Sequence, residues 1–212
     1  MLSTLWLQLG GNEYENKRLG IPELGYPLCY NTPFNSWNYG NDMVLWPYTK
    51  RYAICIDILV EICQYTKKIP ENEVSKYLFG YRYCIGIADL TIGDTIVNPS
   101  ERDTITALYY ARFPEGYNKV SKLFPYDFHN SFILPKNVEV IIQGEKRRIA
   151  PSMIHKPTYI VAFLSSFTTL NPGDLVSVGC FCYWEQPDLQ RLAVRLEEGR
   201  LLHEVTIMPE VP

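Results

Sequence analysis

The sequence lacks any concentration of charge of one sign. Its acidic and basic residues are interspersed, and the formal net charge is −3. Binding to duplex nucleic acid usually needs a concentrated face of lysine and arginine, so this balance argues against a nucleic acid partner. The one basic cluster, residues 146–148, follows a Gly-Glu pair. We interpret it as a group of basic side chains at the end of a hairpin.

Long apolar runs and paired metal-binding cysteines are also missing. No segment approaches the roughly 20 apolar residues that a membrane span needs, and no basic head precedes the short apolar stretch after Met1. The six cysteines show no paired Cys-x-x-Cys spacing that would frame a structural zinc site. We therefore expect a cytoplasmic protein with no membrane partner, whose cysteines are reduced and mostly serve as small core residues.

The length and composition are those of an ordinary globular chain. Its 212 residues fit one large domain with its own core. Apolar residues make up 47% of the chain and charged residues 20%, and there is no internal repeat. We predict a single domain over residues 1–212.

Strand patterns dominate the chain, and turn residues separate them. We predict strands at residues 4–9, 52–63, 81–94, 174–182 and 201–209, a hairpin at 138–149 about Gly144, and loops with short edge strands over 20–48. The run at 52–63 is apolar throughout except for Asp57 and Glu61, as in a strand buried on both faces. Helices are predicted at 70–80, ended by Gly80, and at 157–170, with a short one at 100–113 inside an insertion at about 95–120. The predicted fold class is mainly β (α+β).

Several segments, in the right order, resemble the fumarylacetoacetate hydrolase superfamily. They are the helix, Pro-Gly-Asp turn and strand at 160–179, the hairpin at 140–148, the segment at 69–81 ending in Gly-Tyr, the loop at 30–47 and the start at 7–14. The resemblance implies a rolled mixed β-sheet sandwich with a few short helices, usually as a homodimer. It divides the chain into an N-terminal strand and lid at 1–30 and a β-roll core at 31–212. It also implies enzymes that hydrolyse, decarboxylate, isomerise or hydrate small polycarbonyl acids with a divalent metal ion.

The resemblance places the metal-binding carboxylates at positions that this chain has largely changed. The family's Glu-x-Glu pair falls on Cys55 and Asp57. The third ligand falls on Gly86 without a gap, or on Asp89 if three extra residues precede it. A site of Asp57 and Asp89 would hold Mg or Mn weakly. In the alternative interpretation, Asp57 pairs with a basic residue such as Lys122 and Asp89 begins a turn.

The other positions of the family's catalytic apparatus are also altered. In the family, a His and a Glu of the lid together activate the hydrolytic water. The corresponding residues here are Asn16 and Leu19, and Glu13 or Glu15 could take that role only if the loop followed a different path. The family's Thr-Gly-Thr corresponds to residues 178–180, so both hydroxyls are gone. The candidate residues are therefore Lys122, His129 and Asp57 for catalysis, Cys55, Asp89, Asn16, Gly179 and Cys180 for substrate binding, and Asp57 with Asp89 for a metal.

Three functions are compatible with these changes. We favour a non-hydrolytic cyclase, isomerase or decarboxylase that acts on a polycarbonyl acid or polyketide-like compound in a biosynthetic pathway, without the usual metal ion. The second candidate is a weakened Mg- or Mn-dependent hydrolase or decarboxylase. The third is a non-catalytic member that binds a small molecule or a protein. The positions of the family's water-activating His and Glu, of its metal ligands and of its contacts to the substrate carboxylate are all altered. Together these changes favour a changed reaction.

Overall fold

The structure is a computed structural model that describes residues 4–9, 27–92, 111–112, 114–125, 138–142, 144–149, 156–186, 192–198 and 201–209. The N-terminal lid segment after residue 9, most of the predicted insertion with its short helix, and the loop after residue 125 lie outside these ranges. Two β-sheets make up most of the described part. The predicted mainly β fold with few helices is confirmed.

The larger sheet contains seven strands within the described residues. They are β1 (Leu5–Leu9), β2 (Leu28–Thr32), β4 (Tyr52–Ile62), β5 (Leu78–Asp89), β6 (Asn118–Val120), β7 (Phe124–Pro125) and β10 (Leu175–Gln186). Their order is β2-β1-β10-β4-β5-β6, and β7 pairs with β5. Strand β1 runs parallel to β10 and the other pairs are antiparallel, so the sheet is mixed. The long strands β4, β5 and β10 lie next to one another at its centre.

The smaller sheet contains five strands within the described residues. They are β3 (Asp42–Val44), β8 (Val138–Ile142), β9 (Glu145–Ile149), β11 (Leu192–Glu198) and β12 (Leu201–Met208), in the order β3-β12-β11-β8-β9. The predicted hairpin is confirmed, since β8 and β9 pair antiparallel on either side of Gly144. Gly144 has a φ of 83°, a conformation that glycine adopts without steric cost. Strand β11 was not predicted.

Helix α1 (Pro157–Phe167) confirms the predicted helix in this part of the chain but ends three residues earlier. Pro157 suits the first turn, and Ile160, Val161 and Leu164 form its buried face. The helix ends before Leu170 because that residue forms a β-bridge with Thr66 instead. No helix in the described ranges is long and apolar enough to cross a membrane.

The segment at residues 70–80 corrects a prediction. Residues Glu71–Tyr77 form a 3-10 helix, and β5 begins immediately afterwards at Leu78. Gly80 therefore lies inside a strand and does not end a helix. A Cβ at this position would lie 2.3 Å from the carbonyl oxygen of Phe124. The glycine is needed because β7 approaches the β5 backbone closely there.

The main core joins both sheets and α1. One face of β4 contributes every second residue to it, namely Ile54, Ile56, Ile58, Val60 and Ile62, which pack with residues of the smaller sheet such as Val194 and Val205. The opposite face of β4 carries Ala53, Cys55, Asp57 and Leu59, all buried. Burial on both faces confirms the interpretation of this strand. The second face is the one that holds the candidate site.

Candidate functional site

Asp57 lies at the centre of the larger sheet and forms a buried ion pair. Its side chain is 0% exposed, and Arg112 Nη1 donates to its Oδ2 atom over 2.8 Å. The hydroxyl of Ser177, on β10, donates to the other carboxylate oxygen over 3.2 Å. The strand register places Asp57 opposite Cys84 on β5 and Cys180 on β10. A buried carboxylate requires such partners because it has lost its hydration.

Arg112 is held from both ends of its guanidinium group. Nη1 binds Asp57, and Nη2 donates to Asn118 Oδ1 over 2.9 Å. The amide of Asn118 returns a hydrogen bond to the carbonyl oxygen of Arg112 over 3.3 Å. Nε of Arg112 is buried and has no hydrogen-bond partner among the described residues. The guanidinium group is therefore fixed in place by hydrogen bonds between β4 and β6.

Gly86 makes room for this guanidinium group. It lies on β5 directly opposite Cys55, and Asn118 pairs with it from β6. A Cβ at position 86 would lie 2.0 Å from Arg112 Nη2 and 3.1 Å from Asn118 Oδ1. Only a residue without a side chain allows the guanidinium group to lie this close to the backbone.

Two clusters of buried apolar residues include the strand neighbours of Asp57. One buried cluster contains Ala53, Cys55, Ala88, Leu90, Ala111 and Cys180, and the other contains Leu5, Leu7, Leu59, Cys84 and Leu175. Burial raises the pKa of the Cys84 thiol, so this thiol stays protonated at neutral pH. Apart from the hydrogen-bonding groups of Ser177 and Asn118, these clusters give the ion pair an apolar setting.

The two charges affect each other's protonation strongly. Burial raises the pKa of Asp57, and the charge and hydrogen bond of Arg112, with the hydrogen bond of Ser177, oppose that rise. Burial lowers the pKa of Arg112, but the charge of Asp57, together with smaller contributions from Cys55, Tyr30 and Cys84, outweighs this effect, and the pKa stands well above its ordinary value. Arg112 is therefore a permanent cation at neutral pH.

Asp89, the second predicted metal ligand, lies elsewhere. It ends β5 and begins a turn, accepting hydrogen bonds from the backbone N–H groups of Thr91 over 2.9 Å and Ile92 over 3.3 Å. The hydroxyl of Thr49 donates to its other oxygen. Asp89 pairs with Tyr52, five residues along β4 from Asp57, which corresponds to a separation of about 17 Å. One ion cannot contact both carboxylates in this arrangement, because oxygen ligands lie within about 2.6 Å of such an ion.

The other predicted residues occupy varied positions. Lys122 follows β6 and its side chain is exposed, so the basic partner of Asp57 is Arg112 instead. Cys55 and Cys180 are buried beside the ion pair. Gly179 has a φ of 137°, and its N–H donates to the Ser177 hydroxyl over 3.2 Å. Residues 13, 15, 16, 19 and 129 lie outside the described ranges, and the catalytic and substrate-binding roles stay predictions.

The residues at this centre do not fit a divalent metal ion. Cys55 offers a thiol, the carboxylate of Asp57 is committed to Arg112, and Gly86 has no side chain. Magnesium and manganese prefer several carboxylate oxygens converging on one point. Across the described ranges, no group of three or more His, Cys, Asp or Glu residues could hold a metal ion. Register places Gly86, and not Asp89, beside Cys55, which favours the alignment without a gap.

Sequence reasoning missed three residues of this centre, namely Arg112, Asn118 and Ser177. One signal could have identified the arginine. Asp57 lies in a doubly buried strand and requires a cation, and Arg112 is the one charged residue in the apolar and aromatic stretch at 107–113. Nothing local identifies Asn118 or Ser177, because their roles depend on strand pairing.

Comparison with known proteins gives distant relatives. No protein-family profile matches the chain. It is 26% identical over 163 residues to an uncharacterised protein of Methanocaldococcus jannaschii, covering 75% of this chain and 62% of that protein. It is also 26% identical over 129 residues to a 4-hydroxyphenylacetate degradation bifunctional isomerase/decarboxylase of Salmonella dublin, covering 58% of this chain and 27% of that enzyme. The chain thus spans less than two thirds of the length of these two relatives.

Solved structures match almost the whole chain. A proposed fumarylacetoacetate hydrolase family protein from Yersinia pestis CO92 has a TM-score of 0.81 at 15% identity, covering 98% of this chain and 94% of that one. Fumarylpyruvate hydrolase from Pseudomonas aeruginosa, in complex with Mn²⁺ and pyruvate, has a TM-score of 0.76 at 16% identity, covering 100% and 91%. The chain therefore has the fold of the fumarylacetoacetate hydrolase superfamily. The two curated relatives match at 26% identity and the two solved structures at 15% and 16%, so the similarity to the superfamily is one of fold at low sequence identity.

Proposed function

We propose that this chain is a divergent enzyme of the fumarylacetoacetate hydrolase superfamily that acts on a small enolisable polycarbonyl acid. The proposed reaction is an isomerisation, cyclisation or decarboxylation in a specialised pathway, without hydrolysis and without a bound divalent ion. The observation that carries this proposal is the buried ion pair between Asp57 and Arg112. It stands where the resemblance assigns the metal ligands.

The relatives support the class of substrate. The fumarylpyruvate hydrolase structure contains pyruvate, a small oxo acid, and the enzyme from Salmonella dublin is an isomerase/decarboxylase. Enolisation of an oxo acid places negative charge on oxygen, which nearby cationic donors stabilise. The exposed ammonium of Lys122 is the proposed donor for this role, with His129 as a candidate proton carrier. Both assignments are predictions from the sequence.

The proposal is tested with fumarylpyruvate as a probe. The protein is first treated with a chelator to remove metal ions, and the chelator is then removed. We expect a change in the enol absorbance of the probe and no release of pyruvate, since pyruvate is the product of hydrolysis. Lys122→Ala is expected to abolish the change while leaving the folding transition intact, because the side chain is exposed. Lys76→Ala, at another exposed lysine, is the matched control.

Each other outcome contradicts the proposal in a definite way. Release of pyruvate that requires added Mn²⁺ would support a weakened metal-dependent hydrolase. Binding of the probe without any chemical change, measured by calorimetry, would support a non-catalytic binding protein. The homodimer and the cytoplasmic location stay predictions, and light scattering of the purified chain tests the first.

A further inference from the structure

We propose that the guanidinium group of Arg112 is a built-in cation that replaces a divalent ion in this centre and closes it to metals. This inference deepens the metal-free part of the proposed function and rests on it. Its test measures metal binding and stability and no turnover. A wrong substrate proposal would therefore leave its outcome unchanged.

The first argument is one of charge. Asp57 is completely buried, and its carboxylate needs a cation next to it to remain ionised. Arg112 supplies one positive charge at 2.8 Å, and it stays protonated at neutral pH. A metal ion at the same carboxylate would bring two further positive charges beside a fixed guanidinium group, in an apolar setting. The two cations exclude each other.

The second argument is one of space. The volume above the β5 backbone at Gly86 is filled by Arg112 Nη2, which leaves no room even for a methyl group. Cys55, paired with Gly86 across the strands, is short and belongs to the small apolar cluster beside the guanidinium group. Residues 55 and 86 are small, and the guanidinium group of Arg112 lies in the space that this leaves. A carboxylate at position 86 would collide with the arginine.

These two arguments predict how the centre could be converted. The triple variant Cys55→Glu, Gly86→Asp, Arg112→Ala removes the fixed cation. It gives three carboxylates in total, at the paired positions 55 and 86 and at Asp57, two residues along the same face of β4. Such a set is the oxygen donor type that Mn²⁺ prefers. We expect the folded triple variant to bind one Mn²⁺ per chain at least about tenfold more tightly than the wild type. The signal of free Mn²⁺ in electron paramagnetic resonance and the Mn²⁺-dependent rise in melting temperature both report this binding.

Two matched controls assign the binding to this centre. Adding Asp57→Asn to the triple variant should abolish the binding, because it removes the central carboxylate. The double variant Cys55→Glu, Gly86→Asp, which keeps Arg112, should not bind Mn²⁺, because the charge of the arginine still competes with the ion for the carboxylates. A folded triple variant that binds no more Mn²⁺ than the wild type would overturn the proposal.

A measurement on the wild-type protein tests the proposal without relying on the folding of the triple variant. Titration of the wild type with Mn²⁺ is expected to show no stoichiometric site. A saturable site with one Mn²⁺ per chain, lost in Asp57→Asn, would overturn the proposal. Absence of that site supports it, whether or not the triple variant folds.

Discussion

The two faces of β4 show how one strand can serve two different purposes. Residues 54, 56, 58, 60 and 62 are isoleucine or valine and pack into the core between the sheets. Residues 55 and 57 on the other face are a thiol and a carboxylate, beside an arginine that is held by hydrogen bonds. The first face needs only apolar side chains of suitable volume, whereas the second requires particular partners. The second face should therefore be the less tolerant of single substitutions.

Removal of Arg112 should have the largest effect of the single substitutions considered. Arg112→Ala leaves the carboxylate of Asp57 buried without a cation, and we expect a loss of about 3–5 kcal/mol in the free energy of unfolding. Urea denaturation measures the loss. The double variant Asp57→Leu, Arg112→Met should lose less, because no unpaired charge remains. If the double variant loses as much stability as the single variants Asp57→Leu and Arg112→Met added together, the two side chains do not act as a pair.

Gly86→Ala should have the next largest effect. The added Cβ meets Arg112 Nη2 at 2.0 Å, so the guanidinium group must move, at a cost of about 1–3 kcal/mol. The same substitution should cost less in the Arg112→Ala background, where that obstacle is gone. Gly40→Ala is the control, since a Cβ at this exposed position would lie 3.4 Å from the nearest heavy atom. Equal losses at positions 40 and 86 would contradict the crowding argument.

Ile56→Val tests the other face of the strand. It removes one methyl group from the main core, and we expect a loss of about 0.5–1.5 kcal/mol. The effect should be the same in the Arg112→Ala background, because the two side chains lie on opposite faces of the sheet. Strong coupling between the two substitutions, measured by a double-mutant cycle, would show that the faces are not independent.

His203 should give the smallest effect, seen only as a pH dependence. Burial lowers the pKa of this β12 histidine, whose Nε2 atom lies 3.1 Å from the carbonyl oxygen of Lys119. Below about pH 6.5 the unfolded chain therefore binds a proton that the folded chain does not, and stability falls as the pH falls. His203→Gln should make this loss shallower in urea denaturation at several pH values. Parallel curves for the two proteins would contradict the assignment.

Local patterns predict the elements well where one signal dominates. The apolar run at 52–63 and the Gly144 turn correspond to β4 and the β8–β9 hairpin, because burial and turn chemistry are local properties. The prediction of a helix ended by Gly80 was wrong. In the structure, Gly80 is required by the close approach of β7, a contact between segments 44 residues apart in sequence.

The amino-acid pattern was enough to predict a mainly β fold, a strand buried on both faces around Asp57, and a thiol at position 55, where the resemblance places an oxygen donor. The pairing of strands in space was needed to show that Cys55 and Gly86 are neighbours, that Asp89 is remote, and that Arg112, 55 residues from Asp57 along the chain, supplies the cation. The reason is physical. Strand character follows from residue type, but the partners of a buried charge follow from the register of strands that are far apart in sequence.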